Sequence, residues 1–256
     1  MKPIHPGDAD RIRDRVKEIM GNAGKKKVVL GWSGGIDSTA SLFILAGSLD
    51  PADIYPIHLP YGISHFARLT PLLSRLRIPA ENAAEIPITG IVGRYQSTLA
   101  IPDGTENGRI RLGNIMARVR MTVLYDAAKA KDALVCGTEN RTEHLLGYFT
   151  RFGDAASDFE PIQHLYKTQV VELASLLHVP REFIDQAPTA GLWDGQTDEG
   201  EFGFTYREAD EVLSAYVDEG IPVRQLQKSG YRKAEQIIAR MNANRFKHET
   251  PYSLSR

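Results

Sequence analysis

Val28-Val29-Leu30-Gly31-Trp32-Ser33-Gly34-Gly35-Ile36-Asp37-Ser38 decides how the chain is read. A short apolar run runs straight into a glycine turn that carries hydroxyls. A helical stretch, 37–49, follows at once, with Leu42, Leu45 and Leu49 on one face. Apolar runs of this length suit a strand buried on both sides, and glycine lets the chain turn tightly from strand into helix. The order strand, loop, helix is the first unit of an α/β fold.

The same alternation extends outward. Residues 8–20 form an amphipathic helix with Ile12, Val16 and Ile19 at helical spacing. Further strands are predicted at 53–59, 84–88 and 132–136, with a helical pattern at 64–75. Gaps of roughly twenty residues or more separate these runs, as crossovers between parallel strands require. The longest helix is predicted at 109–131, where Leu112, Ile115, Met116, Val119 and Val123 form an apolar stripe. Arg111, Asn114 and Arg118 share another face, because spacings of three, four and seven align on a helix. Residues 148–159 read as a long loop rich in Gly, Asp and aromatics, and loops of that kind in compact domains are often functional. Helices are expected at 167–177, 206–217 and 230–244. The expectation is an α/β fold: an open parallel sheet with helices on both faces, a helical C-terminal extension, and one continuous domain over 1–256.

Composition narrows the class. Among the 256 residues, 42% are hydrophobic and 25% charged, which excludes a disordered tail or a collagen-like rod. No apolar run is long enough to span a bilayer, and the first ten residues lack a secretory core. Cys136 is the only cysteine, so an internal disulfide and a multi-cysteine metal site are excluded. The compartment expected is the cytoplasm. The net charge of −1 hides an asymmetry: residues 182–219 carry eleven acids against one base, and 221–256 eight bases against two acids. Such a pattern suits contact between chains or an anionic ligand at the tail, and equally two solvated helix faces.

Ser33-Gly34-Gly35-Ile36-Asp37-Ser38 carries the chemistry. Glycines admit close approach of the backbone, the helix N-terminus offers N–H groups to an anion, and the two serines add hydroxyls. Asp37 suits Mg²⁺ held against phosphates better than it suits phosphate itself. This is not the Walker pattern, which needs Gly-Lys-Ser/Thr. Asp37 or Ser38 could instead serve simply as a helix cap.

The hexapeptide resembles the PP-loop of the N-type ATP pyrophosphatases. Within that superfamily, several segments are similar in order and spacing to the NAD synthetases. They are Asn114-Ile115-Met116-Ala117-Arg118-Val119-Arg120-Met121, Gly137-Thr138-Glu139-Asn140-Arg141-Thr142-Glu143, Gly147-Tyr148-Phe149-Thr150-Arg151-Phe152-Gly153-Asp154, 161–167 and 188–199. The resemblance covers 28–210, with a weaker match around Lys247. It implies an adenine nucleotide alpha hydrolase-like, Rossmann-like fold and the ammonia-dependent form of the reaction. In that reaction deamido-NAD is adenylated by ATP, and ammonia then displaces AMP. It also implies Mg²⁺ on Asp37 and Glu143, and ATP contacts from the 33–38 loop, Thr138, Lys167 and Thr189. Arg118, Arg151, Asp158 and Lys247 are implied at deamido-NAD, and Asp154 is implied as the base near ammonia. Asp154 and Lys167 are the catalytic pair so implied, and the family's members imply a homodimer.

By residue type alone, Thr138 and Thr189 read as turn or cap residues, Arg118 as an exposed helix arginine, Glu143 as a first-turn acid and Asp154 as an Asx turn. Arg151 stands where the family usually has Lys, and Phe246-Lys247-His248 departs from the usual His-Lys-Arg. The chain has no room for a glutaminase domain, and Cys136 ends an apolar strand, where a thiol behaves as a small hydrophobe. Two rivals are another PP-loop adenylating enzyme, such as a tRNA-thiolating one, and a catalytically silent nucleotide-binding homologue. Lone cysteine and near-neutral charge argue against an RNA partner.

Overall fold

A computed structural model describes residues 1–189 and 197–249. α1 (Pro6–Asn22) leads into β1 (Lys27–Gly31), and α2 (Ile36–Ser48) crosses to β2 (Ile54–His58). Two short helices, α3 (Phe66–Leu69) and α4 (Pro71–Leu76), precede β3 (Ala84–Glu85). α5 (Thr89–Thr98) and the long α6 (Glu106–Lys131) then return the chain to β4 (Ala133–Cys136). Beyond the sheet come α7 (Arg141–Leu146), α8 (Lys167–Leu176), α9 (Arg181–Ile184), α10 (Asp198–Phe202) and α11 (Tyr206–Leu213). α12 (Val223–Lys228) and α13 (Ala234–Asn244) follow.

The four strands are parallel in the order β3-β2-β1-β4. Register pairs Val29 with Tyr55 on one side and with Val135 on the other, so β1 is a central strand. Its side chains divide by the period of two that a strand imposes. Val28 and Leu30 pack with α1, α2, α8 and α9, while Val29 joins Ile57, Val135, Met116 and Val119 on the opposite face. A third core, from Leu146 through Phe202, Tyr206 and Leu213 to Ile237, belongs to the C-terminal helices.

Some bounds differ from the sequence reading. The helix expected at 64–75 is cut in two at Pro71, which opens α4, because proline removes a backbone donor. α6 starts earlier than 109, where the Thr105 hydroxyl accepts from the Gly108 N–H. The helix expected at 206–217 ends in a π turn, Ser214–Asp218. Within 148–159 the chain makes turns and then one bridge, Cys136 to Phe159, which prolongs the sheet edge beyond β4. Among the described residues no helix is long and apolar enough to cross a membrane.

Candidate active site

The loop between β1 and α2 has the geometry of a backbone cradle. Gly34 sits at φ +89°, and a Cβ there would come within 2.9 Å of Leu69 Cδ2, so this position excludes a side chain on both counts. Ser33 Oγ and Ser38 Oγ lie 3.0 Å apart, the Gly35 N–H donates to Ser33 Oγ at 3.2 Å, and Ser38 Oγ donates to Gly35 O at 3.1 Å. Gly35 is the N-cap of α2, and it has no side chain to occupy the first-turn N–H groups. A helix start left open in this way is suited to an anion. Asp37 therefore does not cap. Its carboxylate reaches across the site instead.

It meets Lys167, the first residue of α8, whose Nζ donates to Asp37 Oδ2 at 2.5 Å and to Glu143 Oε1 at 3.3 Å. All three side chains are largely buried, Lys167 at 6% exposed. Burial works against the lysine charge, but Asp37 and Glu143 outweigh it and hold Lys167 above its ordinary value. Burial pushes Glu143 up to about 8, with Lys167 opposing the rise and Asp37 adding to it. Asn140 ties the carboxylates together. Its Oδ1 accepts from the Glu143 N–H at 3.0 Å, capping α7, while its Nδ2 donates to Asp37 Oδ1 at 2.9 Å. Tyr206 closes one side, donating to Asp198 Oδ2 at 2.8 Å and lying 3.4 Å from Glu143 Oε1. Two hard oxygen donors converging beside the loop suit Mg²⁺, which takes one or two carboxylates and completes its shell with phosphate and water.

Asp154 occupies a second centre. The Thr150 N–H donates to Asp154 Oδ1 at 2.8 Å. Burial raises its pKa, with that backbone bond opposing and Glu139 adding to the rise. This is not an Asx turn, in which the carboxylate would accept from an N–H two residues on: Thr150 lies four residues before Asp154. Arg120, on α6, donates from Nε to Leu59 O at 3.1 Å, and Asp154 supports its charge against burial. Asn114 Oδ1 accepts from Thr150 Oγ1 at 2.8 Å, so α6 also holds this loop.

The remaining candidates fall into different settings. Thr138 follows Gly137 at the end of β4, half-buried. Asp158 Oδ2 accepts from the Val135 N–H at 2.7 Å, which ties the loop to the sheet. Lys247 Nζ donates to Gly147 O at 2.6 Å and to Phe149 O at 3.0 Å, clamping the tail onto the loop that carries Arg151 and Asp154. Arg151 stacks over Phe246 with its guanidinium 5.4 Å from the ring centre. Arg118 is exposed on α6, and Thr189 is exposed. Much of the 188–199 segment, residues 190–196, lies outside the described residues, as does Pro251.

Sequence reasoning missed Asn140, Arg120 and His58. The Asn140 motif could have been read as a capping box closing on Glu143. His58 ends β2, and its Nδ1 lies 2.8 Å from Trp32 O, while its buried Nε2 has no hydrogen-bond partner among the described residues. No periodicity distinguishes it from an ordinary core residue.

A family model described as NAD synthase matches residues 9–251. The chain belongs to this family. It is 37% identical over 253 residues to an NH3-dependent NAD+ synthetase of Fusobacterium nucleatum subsp. nucleatum, covering 98% of this chain and 95% of that one. Among solved structures it is similar to an NMN synthetase from Francisella tularensis, with a TM-score of 0.83 and 30% identity over 98% and 99% of the two chains. An NH3-dependent NAD synthetase from Campylobacter jejuni superposes with a TM-score of 0.78 and 30% identity over 97% and 98%. Family membership places the open loop and the buried carboxylate–lysine centre in an ATP-using ligase.

Proposed function

We propose that this chain amidates deamido-NAD with ammonia, using ATP, to give NAD, AMP and pyrophosphate. The observation that carries the reading is the pairing of an open phosphate loop with Lys167 held between Asp37 and Glu143. The 33–38 loop binds the ATP phosphates through its N–H groups and hydroxyls, and Lys167 brings positive charge to the α-phosphate. Asp37 and Glu143 would hold Mg²⁺, which when bound would supply positive charge for the departing pyrophosphate. Thr138 and Thr189 complete the ATP contacts. The nicotinate carboxylate of deamido-NAD attacks the α-phosphorus, and pyrophosphate leaves. Asp154 then takes a proton from ammonium. The freed NH3 attacks the acyl carbon, and AMP departs with one oxygen of the former carboxylate. A carboxylate of ordinary basicity is a weak base for ammonium, so the burial that raises Asp154 serves this step.

Arg118, Arg151, Asp158 and Lys247 serve deamido-NAD in this reading, Asp158 and Lys247 by fixing the loop and tail around it. The chain works as one synthetase domain and as a homodimer in the cytoplasm. Support for the homodimer comes from Ile91 and Tyr95 on α5, Leu99 just after it and Ile110 on the adjoining α6, all 44% exposed or more. That apolar surface needs a partner.

The likeness to an NMN synthetase makes the mononucleotide a second substrate to test. Incubation with ATP, Mg²⁺ and ammonium is expected to release AMP and NAD in equal amounts when deamido-NAD is supplied, and less product with nicotinate mononucleotide. A preference for the mononucleotide would move the reading to NMN synthesis, and no AMP with either would end it. Asp154→Asn is expected to lower kcat about a hundredfold or more; unchanged ammonia-dependent turnover would remove Asp154 as the base.

A further inference from the structure

Glu139 stands in the Gly137–Glu143 motif between Thr138 and Asn140, and its side chain contacts neither Asp37 nor Lys167 through a hydrogen bond. That side chain is 8% exposed. Its Oε2 accepts from Gln163 Nε2 at 2.8 Å and lies 3.1 Å from His144 Nδ1. Its Oε1 is buried and has no hydrogen-bond partner among the described residues. An ionised carboxylate with one oxygen bare in a dry place is costly unless a donor comes to it.

The surroundings define that donor. Glu160 packs behind Glu139, accepting the Glu139 N–H at 3.0 Å and the Ser157 hydroxyl at 2.8 Å. Its carboxyl fills the space where a Cβ on Gly137 would stand, 1.8 Å away, so glycine there is a condition for the arrangement. The charge of Glu139 reaches Asp154, Glu143 and Glu160 and raises all three. Burial first, and Glu139 among the lesser causes, pushes Glu160 up to about 8. Lys247 faces the same region, but its Nζ is already committed to Gly147 O and Phe149 O. His248 packs on His144 at 4.3 Å between ring centres, and burial holds it below its ordinary value. Carboxyl groups therefore gather around an unfilled acceptor.

A metal ion does not suit this place. Among the described residues no three His, Cys, Asp or Glu side chains are grouped to hold one. Glu139 also lacks a second carboxylate converging with it on an open phosphate loop, the arrangement Asp37 and Glu143 offer a divalent cation, whereas an ion that donates hydrogen bonds needs only acceptors. The ring of Phe149, which already lies 5.3 Å from the Lys247 ammonium, offers a further face to a cation.

We propose that Glu139 is the ammonium-docking residue: its bare carboxylate oxygen holds the ammonium ion beside Asp154 before the proton is removed. Glu139 acts as a positioning residue, and the proton still passes from ammonium to Asp154, leaving neutral NH3. This rests on the ammonia-dependent reading above. Gln163 and His144 fix the carboxylate by its other oxygen.

The test uses the full chain. Glu139→Gln is expected to raise KM for ammonium about tenfold, with KM for ATP and deamido-NAD within about twofold. Glu139→Asp keeps the charge and is expected to recover part of the loss. Rubidium, close to ammonium in size but without protons, is expected to compete with ammonium in the unaltered protein and to lose that effect in Glu139→Gln. Equal changes in all three KM values, or an unchanged ammonium KM, would overturn the proposal, and so would rubidium that fails to compete in the unaltered protein. A readout free of turnover separates this from the reaction itself. Ammonium and rubidium, against sodium at equal ionic strength, are expected to raise the Tm of the unaltered protein and not of Glu139→Gln. A protein that shows this shift and makes no NAD keeps the cation site and loses the reaction. One that makes NAD with no shift and an unmoved ammonium KM keeps the reaction and loses the site.

Discussion

Lys167 carries a charge whose cost is met chiefly by the two carboxylates it touches. Replacing it with a neutral chain of similar length leaves Asp37 and Glu143 facing each other without a cation, and breaking buried pairs in this way is strongly destabilising. Lys167→Met is expected to cost about 3 kcal/mol of stability at pH 9 and to abolish AMP release. The sign with pH follows from Glu143, whose folded pKa, about 8, is raised above 4.5. A carboxyl raised in the folded state favours folding when protonated, and that contribution fades as pH climbs through the folded value. The deficit of Lys167→Met is therefore expected to shrink on acidification below pH 8. Thermal unfolding at pH 5 and pH 9 checks it, and a deficit independent of pH would contradict the electrostatic account. The sequence made Lys167, Asp37 and Glu143 legible as a set through motif resemblance. It could not show that Lys167 binds both carboxylates at once, because the three come from α8, α2 and α7, far apart in the chain.

At the scale of elements, α7 shows how little helix is needed when its ends are well made. It has six residues, with Asn140 capping its start and Gly147 at φ +63° ending it. Asn140 does two things, and two variants separate them. Asn140→Ala removes the cap and is expected to cost about 1 kcal/mol. Asn140→Asp keeps a cap oxygen but sets a buried carboxylate against Asp37, so stability is expected to fall further at neutral pH and the Mg²⁺ needed for half-maximal rate to shift. Tm and a Mg²⁺ titration check the pair, and a Mg²⁺ response unchanged from the unaltered protein in both variants would contradict a role for Asn140 in placing Asp37. The long helices were readable because periodicity runs over enough residues to show, and β1, β2 and β4 because they are apolar runs; the strand expected at 84–88 is only Ala84–Glu85. α7, α10 and α12 are too short for that, and α5 contains Gly90 and Gly93, which blur its pattern. The 148–159 loop was readable as a loop. Its packing against α6 through Thr150 and Asn114 was not.

Across the whole molecule, the acidic stretch at 182–219 turns out to be in part internal framework. Asp210 is fully buried, accepting from Thr142 Oγ1 at 2.5 Å and from the Thr168 N–H and hydroxyl at 2.7 Å each. Asp198 receives Tyr148 and Tyr206, and Asp218 pairs with Arg141. The basic tail is likewise occupied: Arg240 lies over Phe202, and Lys247 grips the loop after α7. Charge counting registered the asymmetry, and only the fold shows that several of these charges face inward. The outward apolar surface on α5 and α6 is where a second copy is expected. Ile110→Lys places a charge in that face and is expected to shift the sedimentation of a dimer to that of a monomer; an unshifted dimer would place the contact elsewhere.

The central claim is that this site joins the nicotinate carboxylate to the α-phosphate of ATP before ammonia arrives. Deamido-NAD labelled with ¹⁸O in that carboxylate tests it most directly, by mass analysis of the products after turnover with ATP, Mg²⁺ and ammonium. One labelled oxygen is expected in AMP and none in pyrophosphate. Unlabelled AMP, or label in the pyrophosphate, would contradict it.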